Sequence, residues 1–141
     1  MGVSIFLEPD AEMPRKSYET DAGWDLFVSK GVIIPSGKIV DVHTGVHMNL
    51  PRGMYGRITG RSSTLRKHNL LVNEGIIDSG FTGELFICVK NLGNYDFRVS
   101  KGSRLAQIIL GEVPDVTLSL CEKKEVLPGA RGDNGFGSTG L

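Results

Sequence analysis

The sequence predicts an all-β fold, a sandwich or barrel built from short strands. Apolar residues recur with a period of two in short runs, and turn-forming residues separate those runs at regular intervals. Glycine is abundant, 19 of 141 residues, nearly double the usual share of about 7%, and hydrophobic residues at 40% still suffice for a core. The length fits one domain with little room for a second.

In order, the strand-like runs are 32–34, 39–42, 46–50, 55–59, 70–72, 76–77, 84–89 and 105–110. Pro35-Ser36-Gly37, Pro51-Arg52-Gly53, Gly93-Asn94 and Lys101-Gly102 separate them as turns. Residues 62–68 predict one short helix that opens on the capping hydroxyls of Ser62 and Ser63 and closes on cations suited to a helix C-terminus. Residues 1–127 read as one β domain. From Pro128 to Leu141 there are five glycines and one large apolar side chain, Phe136, before the terminal leucine. Without a strand pattern, that stretch reads as a mobile tail.

Sixteen basic residues balance sixteen acidic ones, so no overall field draws the chain to nucleic acid or to an anionic membrane. No apolar run approaches the length of a membrane span, and the start lacks a secretory pattern. Cys88 and Cys121 form no CxxC pair and stand near no histidine cluster, which predicts neither a zinc site nor a disulfide framework. The expected setting is intracellular, cytoplasmic or nuclear. Locally the charges separate: residues 52–68 carry Arg52, Arg57, Arg61, Arg66 and Lys67 with no acid, whereas residues 8–25 carry six acids against Arg15 and Lys16. A polyanion would prefer the first region.

Three segments could carry chemistry. Gly60-Arg61-Ser62-Ser63 brings a guanidinium and two hydroxyls to a helix start, which would suit a phosphate or would simply cap the helix. In the segment 75–83, Asp78 follows an apolar strand inside a glycine-studded hairpin whose backbone could approach a flat ligand, with Phe81 three residues on. Asp78 there either activates water or bonds its own turn. The tail combines Arg131, glycines, Ser138, Thr139 and Phe136, the ingredients of a lid over a phosphate-bearing ligand. His43, His47 and His68 have no carboxylate or cysteine at motif spacing and read as ordinary side chains, and Trp24 reads as packing.

Five segments in order resemble the five motifs of the homotrimeric dUTPase family: Asp21-Ala22-Gly23-Trp24-Asp25-Leu26, Gly60-Arg61-Ser62-Ser63, the segment 75–83, Gly102-Ser103-Arg104-Leu105-Ala106-Gln107, and the segment 131–140. The resemblance implies a distorted jelly-roll β-barrel subunit assembled as a homotrimer. It also implies hydrolysis of dUTP to dUMP and pyrophosphate, which limits uracil in DNA and supplies dUMP for dTMP synthesis. Each shared active site would take motifs one, two and four from one chain, the third from a second and the tail from the third.

Carried over by position, Asp78 resembles the acid that orients and deprotonates the attacking water. The backbone around Gly75, Ile77 and Phe86 resembles the uracil reader, and Phe81 stands where a tyrosine stacks on the deoxyribose. Arg61, Ser62, Ser63 and Gln107 resemble phosphate contacts, and Asp25 resembles the acid that holds waters of a triphosphate-bound Mg²⁺. In the tail, Arg131 would contact the distal phosphates, Phe136 would cover the uracil, and Gly137, Ser138 and Thr139 would wrap the phosphate chain.

Several positions depart from the common family pattern. Gly60, Ser63, Gly80 and Phe81 stand where many members have Pro, Gly, Asp and Tyr. Gly-x-Ser-Ser and Asp-x-Gly variants also resemble viral members of retroviral type, so the resemblance suits a viral or phage source. Gly-Arg-Ser-Ser and Asp-x-Gly-Phe resemble dCTP deaminases too, some of which combine both reactions. In those enzymes a glutamate three residues before an asparagine shuttles protons; here Asn91 is present and the glutamate position is Cys88, a poor substitute. A regulatory module of the same fold could shed its catalytic acid, yet Asp25, Asp78, Gln107, Arg131 and Phe136 are all retained.

Overall fold

The computed structural model describes residues 2–124 together with Leu127, Gly129 and Arg131. Phe136, Gly137, Ser138 and Thr139 lie outside the described residues. The strands are β1 (Ser4–Leu7), β2 (Gly23–Phe27), β3 (Val32–Ile34), β4 (Ile39–Asn49), β5 (Met54–Gly60), β6 (Leu70–Val72), β7 (Gly75–Ile77), β8 (Glu84–Asn91), β9 (Phe97–Val99) and β10 (Arg104–Glu112), with helix α1 (Ser62–His68) between β5 and β6. The fold is nearly all β, in line with the sequence pattern.

Two four-stranded antiparallel sheets, ordered β1-β4-β8-β6 and β2-β10-β5-β7, share one core, and β3 and β9 pair separately. Strand β8 illustrates the cause: Leu85, Ile87 and Val89 are fully buried while Phe86 and Lys90 face out, the period of two of a half-buried strand. Ile58 and Ile108 from the second sheet belong to the same buried cluster as Val42, Val46 and Leu85 from the first. Burying branched apolar side chains between sheets removes them from water at about 25 cal/mol per Å².

Three differences from the sequence reading have local causes. Runs 39–42 and 46–50 belong to the single strand β4, joined through a register shift between His43 and His47. Gly45 adopts a φ of +66° there, and a Cβ on it would lie 2.8 Å from the Ala11 Cβ. Thr44, fully buried, donates its hydroxyl to the Leu85 carbonyl at 2.5 Å and accepts the Val46 N–H, so the bulge leaves these polar groups satisfied. Second, β1, β2 and β9 lie outside the expected runs; in β2 the cause is a buried acid, Asp25, that breaks the apolar pattern.

The third concerns the helix. Residues 62–68 do form α1, but Arg61 is its N-cap and no side chain caps it. Ser62 and Ser63 therefore stand within the first turn and do not cap it. Thr64 is buried and donates to the Leu105 carbonyl at 2.9 Å, tying the helix to β10. The C-terminus closes on Asn69 in the left-handed conformation, with Arg66, Lys67 and His68 in the last turn.

After β10, residues 113–121 run without a strand partner among the described residues. Val116, Leu118 and Leu120 alternate along this stretch, and all three are exposed.

Candidate functional site

Strand β10 lies between β2 and β5, and this position gathers three of the singled-out segments. Gln107 stands opposite Asp25 on one side and Thr59 on the other, and Ala106 stands opposite Gly60. Asp25 and Gln107 therefore share a level of the sheet, next to the chain's exit from β5 into Arg61. The Gln107 amide donates to the Gly60 carbonyl at 3.3 Å. Arg61 Nη1 donates to the Arg104 carbonyl at 3.1 Å.

Asp25 is only 8% exposed, and a buried carboxylate needs partners. Its Oδ1 lies 3.4 Å from Arg61 Nε, its Oδ2 lies 3.6 Å from Arg104 Nη1, and Ser17 donates to Oδ2 at 3.4 Å. Arg104 also donates to the Ser17 hydroxyl at 3.2 Å, and the Arg15 and Arg104 guanidiniums both stand near the Phe27 ring, 4.8 and 5.6 Å from its centroid. Two guanidinium groups around one carboxylate leave the cluster net positive, which suits a polyanion. The Ser62 and Ser63 hydroxyls make no hydrogen bond among the described residues, so both remain available beside Arg61.

Sequence reasoning assigned no role to Arg104 or Ser17. Arg104 lies within the fourth motif. Its approach to Asp25 follows from the antiparallel register of β10 on β2, which spacing along the chain does not reveal.

The second cluster is the turn joining β7 to β8. Its strands follow one another yet do not pair: β7 has β5 as its partner and β8 has β4 and β6. The hairpin expected from the sequence is therefore not formed, because its two strands join different sheets, and the second edge of β7, with Gly75 and Ile77, carries no partner strand among the described residues. Ile77 is buried and anchors the strand, while Asp78 is exposed. The Phe81 N–H donates to the Asp78 carbonyl at 3.2 Å and the Gly80 N–H to the Leu50 carbonyl at 3.3 Å. The turn is thus closed by backbone, and the Asp78 carboxylate forms no bond to its own turn. Phe81 folds over Gly83, where a Cβ would lie 2.5 Å from the ring; Phe86 faces outward from β8 with its ring 4.9 Å from that of His43.

The clusters are far apart in one chain. Ile77 stands opposite Gly56, so Asp78 lies level with Tyr55 near the Met54 end of β5, and Arg61 lies beyond the Gly60 end. At about 3.3 Å per residue that separation approaches ~20 Å, more than an arginine and an aspartate can bridge on one phosphate. Arg131 is described and exposed.

Two features bear on the deaminase alternative. Cys88 stands opposite Asp41, and burial first, then the Asp41 charge, push its thiol pKa up, so it stays protonated and ill-suited to relay protons. Asn91 is 1% exposed and spends its amide on the Ile34 and Tyr95 carbonyls and the Gly93 N–H. It shapes a turn and is not open to a ligand.

For a magnesium ion, the donors fit only an indirect role. Asp25 is a lone carboxylate, and among the described residues no three His, Cys, Asp or Glu side chains gather to cage a metal. An ion entering on a triphosphate would keep most of its waters and meet Asp25 through them.

Residues 9–140 match the dUTPase family model. The chain is 38% identical over 137 residues to the deoxyuridine 5'-triphosphate nucleotidohydrolase of Paramecium bursaria Chlorella virus 1, covering 96% of this chain and 94% of that protein. It is 37% identical over 133 residues to the enzyme of the same name from Clostridium novyi, covering 93% and 92%. Among solved structures, the dUTPase of Staphylococcus bacteriophage 80alpha with dUpNHpp superimposes with a TM-score of 0.91 at 27% identity, covering 99% of each chain.

Proposed function

The chain belongs to the dUTPase family, and from that membership we propose how its own residues carry out the hydrolysis of dUTP to dUMP and pyrophosphate. The observation that carries the reading is the division of the machinery: a positive cluster of Arg61, Arg104, Asp25 and Gln107 at one end of β5, and an unbonded acid, Asp78, at the other. Neither end suffices alone.

The connection between β7 and β8 reads the base. Backbone groups of Gly75, Ile77 and Phe86 offer the pattern a further strand would use, so a pyrimidine edge with alternating donors and acceptors fits between β7 and β8. Phe81 stands against the sugar and leaves no room for a 2′-hydroxyl. Asp78 accepts a proton from a water aligned with the α-phosphate, and that water attacks in line with the leaving pyrophosphate.

Arg61, Ser62, Ser63 and Gln107 hold the phosphate chain, and the charge developing on the leaving group meets Arg61 with Arg104 behind it. Asp25 keeps both guanidiniums aimed. A Mg²⁺ ion bound to the triphosphate would neutralise phosphate charge, with Asp25 holding its waters. Residues 128–141 form the covering segment over the 1–127 domain: Arg131 on the distal phosphates, Phe136 on the uracil, and Gly137, Ser138 and Thr139 around the phosphates.

The separation of Asp78 from Arg61 within one chain favours their supply to one substrate by different chains, in the homotrimer with three shared sites that the family resemblance implies. The exposed alternation of Val116, Leu118 and Leu120 supports assembly, because a lone chain leaves these apolar side chains in water.

Incubation of the protein with each deoxynucleoside triphosphate and Mg²⁺ tests the reading. Pyrophosphate should appear from dUTP, and no ammonia from dCTP. Ammonia release would restore the deaminase alternative.

A further inference from the structure

The bulge in β4 gathers four ionisable side chains that the catalytic reading does not use. His43 Nδ1 lies 2.8 Å from Glu84 Oε2, which also accepts the Gly45 N–H at 3.2 Å. His47 sits between two acceptors: its Nδ1 lies 2.7 Å from the Thr82 carbonyl oxygen and its Nε2 lies 2.8 Å from Glu8 Oε2. A carbonyl and an ionised carboxylate only accept hydrogen bonds. Both contacts therefore need an N–H on each ring nitrogen, and only the imidazolium has two.

We propose that His47 is a positioning residue for the turn that carries Asp78, its doubly protonated ring tying the Thr82 carbonyl to Glu8. The proposal rests on Asp78 being the base of the reaction. Three ties hold that turn. The Phe81 N–H to Asp78 carbonyl bond and the Gly80 N–H to Leu50 carbonyl bond are 3.2 and 3.3 Å long and do not titrate. The His47 tie is the shortest of the three, lands next to Phe81, and is the one that a proton controls.

The surroundings favour the cation. Glu8, from the chain after β1, and Glu84, from the start of β8, both face the ring, and the Phe6 ring from β1 stands 5.5 Å away. Lys30 faces Glu8, and His43, on β4 itself, is engaged by Glu84. The Thr82 carbonyl foremost, then Glu8, raise the His47 pKa above the usual imidazole value, against a smaller opposing effect of burial. The His47 hydrogen bond in turn holds Glu8 below the usual carboxylate range.

The sign of the pH dependence follows. A raised folded pKa means that the tie is complete below the ordinary imidazole pKa and is lost as pH climbs through the raised value. With one N–H left, the ring can keep Thr82 or Glu8 but no longer links them. Turnover should then fall on the alkaline side while substrate affinity changes little, because the turn orients the base and the phosphates bind elsewhere.

The test compares wild type, Glu8→Gln and His47→Gln by kcat and KM for dUTP across neutral and alkaline pH, and by NMR of the ligand-free protein. In wild type, the backbone amides of Phe81, Thr82 and Gly83 should shift with the midpoint of the His47 ring titration, and kcat should fall with that midpoint. Glu8→Gln removes no contact to the turn, and it should move both midpoints to lower pH. His47→Gln should abolish the amide transition and lower neutral-pH kcat by about 10-fold with KM within about 2-fold. Amides of Phe81, Thr82 and Gly83 that ignore the ring titration, or midpoints unmoved by Glu8→Gln, would overturn the proposal, and the second comparison holds even if His47→Gln fails to fold. Full turnover by Asp78→Asn would instead refute the choice of base while leaving the amide transition intact, so the two failures are distinguishable.

Discussion

Asp78 emerges from β7 with its carboxylate unbonded, and a general base needs that freedom. Asp78→Asn should reduce kcat by about 100-fold or more with KM for dUTP little changed, as steady-state kinetics would report; near-normal turnover would remove Asp78 from the role. Phe81, packed over Gly83, presents a rigid ring, so Phe81→Ala should lower the ratio of kcat/KM for dUTP over UTP, chiefly by admitting UTP. At this scale the place of Asp78, after an apolar strand and among glycines, could be read from one short segment, whereas its role as base came only from the family resemblance. Arg104 and Ser17 beside Asp25 were not, and neither was Glu8 beside His47, 39 positions away. Those contacts are set by strand register, so no local spacing encodes them. Of the histidines read as ordinary side chains, His43 and His47 accordingly acquire carboxylate partners only in the fold.

At the scale of elements, the strands with clean alternation were legible and the irregular ones were not. The β4 bulge split one strand into two apparent runs because Thr44 and Gly45 interrupt the pattern just where the backbone twists. Gly45 needs its positive φ and its missing Cβ, with Ala11 in the way. Gly45→Ala should cost at least about 1–2 kcal/mol for the left-handed conformation alone, measured as a fall in the denaturation midpoint at unchanged m-value; an unchanged midpoint would mean that the bulge relaxes freely. Strand β2 escaped notice because Asp25 interrupts its apolar face, and an acid at that position marks function more than folding. The serines of α1 looked like caps because capping residues and phosphate contacts share a chemistry; with Arg61 at the N-cap, their hydroxyls stay open for a ligand.

Across the whole molecule, the order β2-β10-β5-β7 both assembles and divides the machinery. One inner strand, β10, brings the first, second and fourth motifs to one end, while one edge strand, β7, delivers the third to the other. The resemblance to trimeric relatives implied a site shared between chains; the register of β7 on β5 supplies a physical reason for sharing. Subunit complementation tests this most directly. Arg61→Ala and Asp78→Asn chains, each inactive as a homotrimer, are unfolded together in equal amounts, refolded, and assayed for dUTP hydrolysis after mixed assembly has been verified. Because a shared site needs Arg61 from one chain and Asp78 from another, random assortment should restore about a quarter of wild-type turnover. No recovery in verified mixed trimers, or full wild-type activity from a monomer, would contradict the division of the site between chains.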